Sequence, residues 1–303
     1  MKVKVWGARG SVPTPGPSTN RYGGNTSCLQ VTLSDGTLLV LDAGSGIRAL
    51  GLRLAARAAP RIDILLTHLH LDHIQGLMFF APLFMPDAEI VLWGPPATET
   101  LPERLARYLS PPLTPLHLLE LPSKLSFREI PEGEWEIGPA RIQAAPVIHP
   151  GPTLGYRISE EDESLAYIPD QELALGPPLT TRERRSLPAF DLASGVSRLV
   201  HDCQYTDDEY PSHIGWGHSR LSDALAFAQL TEAQRLTLFH HDPLHDDEQL
   251  DQLHADALER WQATGRSPHE VTVAAELQEL ELDHAGAEVA ALSPTAVSRL
   301  GAG

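Results

Sequence analysis

Short apolar runs, broken by turns rich in glycine and proline, recur along the 303-residue chain. Runs of this length bounded by turn residues predict strands. The pattern places them at residues 1–6, at Ser27–Leu33 and Thr37–Leu41 (a hairpin across Ser34-Asp35-Gly36), and at 62–67, 89–93, 125–130, 135–137, 141–147, 155–158, 164–168, 198–200, 235–239 and 271–276. Helical spacing predicts helices over 47–58, 74–78, 98–109, 219–229 and 246–263, the last with Leu250, Leu253, Ala257, Leu258 and Trp261 as its apolar positions. The proline- and leucine-rich stretch 110–123 reads as an irregular cover forming one wall of a pocket, and Thr181–Arg185 as a solvated helix turn. From about residue 284 the Ala/Gly/Ser composition predicts a flexible tail, which leaves 1–283 as a single domain. Strands precede helices repeatedly, yet hairpins are frequent. The layer logic is therefore α/β, with sheets packed together and helices outside.

Composition adds bounds. Hydrophobic content of 42% and charged content of 21% are those of a globular chain. No apolar run is long enough to span a bilayer, which argues against a membrane partner. The first residues enter a strand-like alternation with no apolar leader, and only Cys28 and Cys203 occur, so the expected compartment is the cytoplasm. The formal net charge of -17 argues against long nucleic acid as the main partner, since gripping a phosphate backbone normally takes a basic surface. It leaves room for a small phosphorylated substrate, because metal ions and a few arginines can make a pocket locally positive.

The chemistry concentrates at His68-Leu69-His70-Leu71-Asp72-His73, directly after the run Ile62-Asp63-Ile64-Leu65-Leu66-Thr67. On an extended backbone His68 and His70 point to one side, while Leu69 and Leu71 point to the other, where they can anchor the loop in the core. A turn into a helix would then put Asp72 at its N-terminal edge and His73 in its first turn, facing a neighbouring point. Four metal-type ligands at a strand end thus suit two adjacent metal ions. Later segments each end an element with a residue of the same kind: His149 after Val147-Ile148, Asp170 after Ile168-Pro169, His240 and His241 after Phe239, and His218 in Gly217-His218-Ser219. Asp42, closing the second hairpin strand, is a candidate to hold a ligating histidine from behind, with a helix cap as the alternative. The Gly/Pro-rich loop 7–25 would lie on the rim of the site, offering Arg9 or Arg21 to an anion.

With these segments in place, the sequence resembles the metallo-β-lactamase superfamily, in particular its phosphodiesterase branch of tRNA 3′-processing endonucleases and cyclic-phosphate phosphodiesterases. The H-x-H-x-D-H signature is matched without substitution by His68, His70, Asp72 and His73. The resemblance implies an αββα sandwich of two mixed β-sheets flanked by helices. It implies that His68, His70 and His149 bind one metal and that Asp72, His73 and His240 bind a second, with Asp170 bridging; His241 is the rival to His240. It further implies that His218 donates a proton to the leaving oxygen, and that the segment containing His201 and Asp202 lies beside it, Asp202 supporting from behind or on the substrate side. Asp72 would also orient the nucleophile. A homodimer is a family-level expectation, whereas the long basic arm of many tRNA-processing members is not evident. The expected cofactors are two divalent ions, zinc by the donor set, with manganese or iron as alternatives. The expected activity is hydrolysis of small, cyclic phosphodiesters; an RNA-processing nuclease and an ester, lactone or thioester hydrolase on the same scaffold are the alternatives.

Overall fold

A computed structural model describes residues 1–56, 61–130, 133–175, 179, 183 and 186–282. Two seven-stranded sheets form its centre. The first contains β1 (Lys2–Gly7), β2 (Cys28–Thr32), β3 (Leu38–Leu41), β4 (Ile62–Leu65), β5 (Glu89–Gly94), β6 (Lys124–Glu129) and β14 (Glu279–Leu280), in the order β14-β1-β2-β3-β4-β5-β6. The second contains β7 (Glu134–Ile137), β8 (Ala140–Pro146), β9 (Leu154–Glu160), β10 (Glu163–Ile168), β11 (Arg198–Asp202), β12 (Leu236–Phe239) and β13 (Val271–Val273), in the order β13-β12-β11-β10-β9-β8-β7. Each sheet is half antiparallel and half parallel: β3 to β6 run parallel in one, and β10 to β13 in the other.

The strand alternation sets the layers. In β3, Leu39 and Leu41 face the opposing sheet while Leu38 and Val40 face helices. In β10, Leu165 and Tyr167 face inward while Ala166 and Ile168 face the other helical layer. These strands are covered on both faces, so their apolar runs are continuous rather than alternating with polar residues. Over the first sheet lie α1 (Ile47–Ala55), α3 (Leu101–Ala106) and short 3-10 turns at Leu77–Phe79 and Ala81–Phe84. Over the second lie α4 (Phe190–Ala193), α5 (Leu221–Leu230) and α6 (Asp247–Gln262). Asp246 caps α6 by accepting from the Glu248 and Gln249 amides at 3.0 and 2.9 Å, which is worth about 1 kcal/mol. The expected α/β sandwich is therefore the one observed. Among the described residues, no helix is long and apolar enough to cross a membrane.

Several expectations change. The helix expected at 74–78 is a single turn, α2 (Leu71–Ile74), followed by the 3-10 turn at Leu77–Phe79. Because the chain already turns at Leu71, that side chain is 54% exposed instead of anchoring the core; Leu69 alone packs against the outer layer. The helix expected over 98–109 is limited to α3, whose start is closed by Thr100 and Glu103. Residues 274–276 leave the last predicted strand, and β14, too short to signal itself, pairs with β1 instead. The end of the first predicted helix, most of Thr181–Arg185 and the tail from 284 lie outside the described residues.

Candidate metal centre

The candidate ligands lie where strands run out. Asp42 follows β3, His68 to His73 follow β4 and form α2, His149 follows β8, Asp170 follows β10, and His240 follows β12. The carboxyl ends of parallel strands leave an open crevice, the usual place for a site in open α/β sheets. Asp42 and His240 both take left-handed backbone angles (φ 60° and 62°), conformations to which Asp and His are better suited than most residues. At His240 this turn directs the ring into the crevice. His241 is sent the other way, where its Nε2 donates to the Ala274 carbonyl at 2.8 Å and burial pushes its pKa down to about 3.

The groups converge closely. His73 Nε2 lies 3.4 Å from Asp72 Oδ2, 3.2 Å from Asp170 Oδ1 and 3.3 Å from His240 Nε2. His240 Nε2 lies 3.2 Å from Asp72 Oδ2 and 3.3 Å from Asp170 Oδ2. On the other side His149 Nε2 lies 3.0 Å from His70 Nδ1, and Asp170 Oδ2 is 3.6 Å from His149 and 3.8 Å from His68. The donor atoms of His68, His70 and His149 lie within 4.8 Å of one another, as do those of Asp72, His73 and His240 and those of His68, His73 and Asp170. The structure thus brings all seven residues together, with Asp170 between the two trios.

Their far sides are fixed by hydrogen bonds. His73 Nδ1 donates to Asp42 Oδ2 at 2.8 Å, His149 Nδ1 to the Gly217 carbonyl at 2.8 Å, and His240 Nδ1 to Gln204 Oε1 at 3.0 Å. Thr67 Oγ1 donates to Asp42, which leaves its lone pairs to accept from His68 Nδ1 at 3.0 Å. Each of these bonds sets the tautomer that bares Nε2 toward the crevice. Asp42 also accepts from the Tyr167 hydroxyl at 2.9 Å, and Asp72 accepts from the Ser11 amide at 2.7 Å. His68 Nε2 and Asp170 Oδ1 are buried without a hydrogen-bond partner. Buried polar atoms are almost always satisfied, so two such orphans aimed at one space, among bare imidazole lone pairs, fit divalent cations. The charges in the cluster push its rings in opposite directions: burial opposes charge on His73, but Asp170, Asp72 and Asp42 outweigh it and raise that ring well above its usual range. Burial and the neighbouring imidazoles hold His68 well below its usual range. Burial alone would raise the Asp170 carboxyl, but the His240 and His73 rings outweigh it and hold it well below the usual carboxylate range.

His218 stands beside this cluster, its ring stacked on His240 with centroids 4.8 Å apart and 5.0 Å from His149. Its Nδ1 donates to Asp202 Oδ2 at 2.9 Å, and Asp202 is held by the amides of Gln171 and Gln204 at 2.9 and 3.0 Å. Burial favours the neutral ring, but the Asp202 charge and hydrogen bond prevail and push His218 up to about 9.

Other candidates fall elsewhere. Arg9 is fully buried and donates to the carbonyls of Gly23, Asp242 and His245, so it locks the N-terminal loop instead of meeting an anion. Arg21 is engaged by Asp247 and Asp251 on α6, an attraction its exposed side chain meets before any substrate. His201 is buried against Phe227 with Nδ1 on the Asp202 carbonyl, and His117 lies exposed beside a 3-10 turn. Four contributors went unpredicted: Thr67, Gln204, Tyr167 and the Ser11 amide. Thr67 binds Asp42 through its amide and hydroxyl and meets its neighbour His68, whereas Gln204, Tyr167 and the Ser11 amide reach across the fold, where sequence holds no spacing signal.

Two sheets with helices outside and a His/Asp cluster at the strand ends define a metallohydrolase of the αββα class. The chain belongs to the β-lactamase superfamily, whose domain model (beta-lactamase superfamily domain) matches residues 37–241. A ribonuclease Z from Mycobacterium sp. (strain KMS) is 27% identical over 251 residues, covering 76% of this chain and 81% of that protein. Among solved structures, the metallo-beta-lactamase fold protein YhfI from Bacillus subtilis superposes with a TM-score of 0.66 at 20% identity, covering 92% of this chain and 98% of that one. A diphosphatase from the PhnP family superposes with a TM-score of 0.64 at 20% identity, covering 92% and 96%. These likenesses bear out the resemblance to the phosphodiesterase and tRNA-processing branch, and the two structures share the fold.

Proposed function

We propose that the protein is a dinuclear-metal phosphodiesterase acting on small, cyclic phosphodiesters. The observation that carries this reading is the buried His218–Asp202 pair set against the seven-residue cluster. A metallohydrolase that expels an alkoxide gains from a positioned proton donor, and this pair supplies one. His68, His70 and His149 would hold one ion, and Asp72, His73 and His240 the other, with Asp170 between them. Zinc suits this nitrogen-rich donor set. When bound, two divalent ions supply Lewis acidity toward the phosphoryl oxygens and a more acidic nucleophilic water.

This chain's residues do the rest. Asp202 accepts from Nδ1, fixes the ring and by its charge favours the protonated imidazole, so that His218 Nε2 can present a proton to the crevice. As the bond from phosphorus to the leaving oxygen breaks, that proton passes from Nε2 to the oxygen, and solvent then reprotonates the ring. Asp72, held by the Ser11 amide, orients the attacking water. General acid catalysis of this kind contributes roughly 10²–10⁴-fold.

The ribonuclease Z relatives favour a second reading, an RNA-processing nuclease, against which the net charge of -17 weighs. The deciding experiment incubates metal-loaded protein with 2′,3′- and 3′,5′-cyclic nucleotides, a bis-aryl phosphate and a structured RNA. Metal-dependent turnover of the small diesters is expected. Cleavage of the RNA alone would favour the nuclease, and no phosphodiester turnover at all would reject both.

A further inference from the structure

The segment leading into His218 does more than deliver that ring. Glu172 is buried to 1% exposure, and its carboxylate accepts from the Tyr210 hydroxyl at 2.6 Å, the Gly215 amide at 2.7 Å and the Gly217 amide at 2.7 Å. Its own amide donates to the Ile148 carbonyl at 2.8 Å, one residue before His149. Within the segment the Trp216 amide donates to the His213 carbonyl at 3.1 Å. Gly217 has a φ of +94° and lies so close to His149 that a Cβ there would meet Nδ1 at 2.5 Å. Trp216 is therefore gripped on both sides by the same buried carboxylate.

Yet its side chain is 61% exposed, and Ile214 beside it is 58% exposed. Ring contacts lead from the catalytic side to this indole: Tyr205 stands edge-on to His218, His213 stacks on Tyr205 with centroids 4.3 Å apart, and Trp216 meets His213 edge-to-face at 4.9 Å. Other large apolar side chains stand exposed next to site residues, namely Val12 after Ser11, Leu71 between His70 and Asp72, and Leu244 beyond His240. A large aromatic surface left in water on a pinned backbone is organised for a flat partner, because binding there orders little that was free.

The geometry points to Trp216 as a stacking platform for a nucleobase, so that the diester substrate is a nucleotide whose leaving oxygen sits on the nucleoside. This rests on the phosphodiesterase reading and on the loop's position: the Gly217 carbonyl, next to Trp216, accepts from His149 Nδ1 at 2.8 Å, and the indole ends the chain of ring contacts that begins at His218. Stacking tolerates any base, since every base offers a π-face.

The test compares wild type, Trp216→Ala and Trp216→Phe in the metal-loaded protein, with folding checked by circular dichroism. One assay measures kcat/KM for 2′,3′-cyclic AMP and for base-free glycerol cyclic phosphate. Trp216→Ala is expected to reduce the preference for the nucleotide about tenfold, mainly through KM, and Trp216→Phe to restore most of it. A second assay follows tryptophan fluorescence during titration with AMP and with ribose 5-phosphate. Quenching by AMP alone, lost in Trp216→Phe, is expected. An unchanged preference in Trp216→Ala, or equal losses on both diesters, overturns the proposal. If wild type turns over neither diester, the phosphodiesterase reading fails, and the quenching assay still decides whether a base binds here: no quenching overturns the subsite.

Discussion

The two sheets supply the candidate centre differently. From the first come four side chains on one turn after β4, His68 to His73, braced by Asp42 and Thr67 close behind. From the second come His149, Asp170, His218 and His240, each following a different element, with the three histidines each held by a hydrogen bond of their own. The first half is contiguous in sequence, although Asp42 after β3 and the Ser11 amide hold His73 and Asp72 from outside it. The second exists only when the second sheet keeps its register. Asp170 joins the halves, lying within 3.2–3.8 Å of four imidazoles.

This contrast can be broken most severely at the junction. Asp170→Asn keeps the shape and removes the charge; metal analysis should show less than two equivalents bound, with phosphodiester turnover down roughly 10³-fold or more. Retention of both ions would mean that the halves bind independently. Next, His218→Ala should leave the metal content at the wild-type value while reducing kcat on cyclic nucleotides about 10²–10⁴-fold. A parallel loss of metal would place His218 in the ligand set instead. Behind the first half, Asp42→Ala frees His73 Nδ1 and should weaken metal affinity about 10- to 100-fold in a chelator competition. The smallest effect is expected at the second half's edge. Gly217→Ala forces a side chain into the left-handed region and against His149, and should lower stability by roughly 1–3 kcal/mol, a fall of a few degrees in the thermal midpoint.

The same contrast explains what could be read in the sequence. The first half was legible because its residues are contiguous, and period-two geometry after an apolar run says where they point. In the second half His149, Asp170 and His240 each read singly as an ordinary polar residue at a strand end; their joint occurrence with the first cluster made them candidates, and the resemblance divided them between two metals. The choice between His240 and His241 rests on a positive φ that no hydropathy pattern carries. Arg9 misled for a related reason, since a cation in a glycine-rich loop suggests an anion, whereas here it satisfies carbonyls of the loop after β12. Layers and strand alternation were legible throughout. The single-turn α2 and two-residue β14 were not, being too short for any periodicity to register.

The central claim is that a proton donor on the second sheet completes a metal centre shared by both. Its most direct test is the dependence of the His218→Ala defect on the leaving group. The account predicts a loss of about 10²–10⁴-fold on a 2′,3′-cyclic nucleotide, whose alkoxide needs a proton, and a much smaller loss on bis(p-nitrophenyl) phosphate, whose phenolate leaves without one. Equal losses on the two substrates would contradict it.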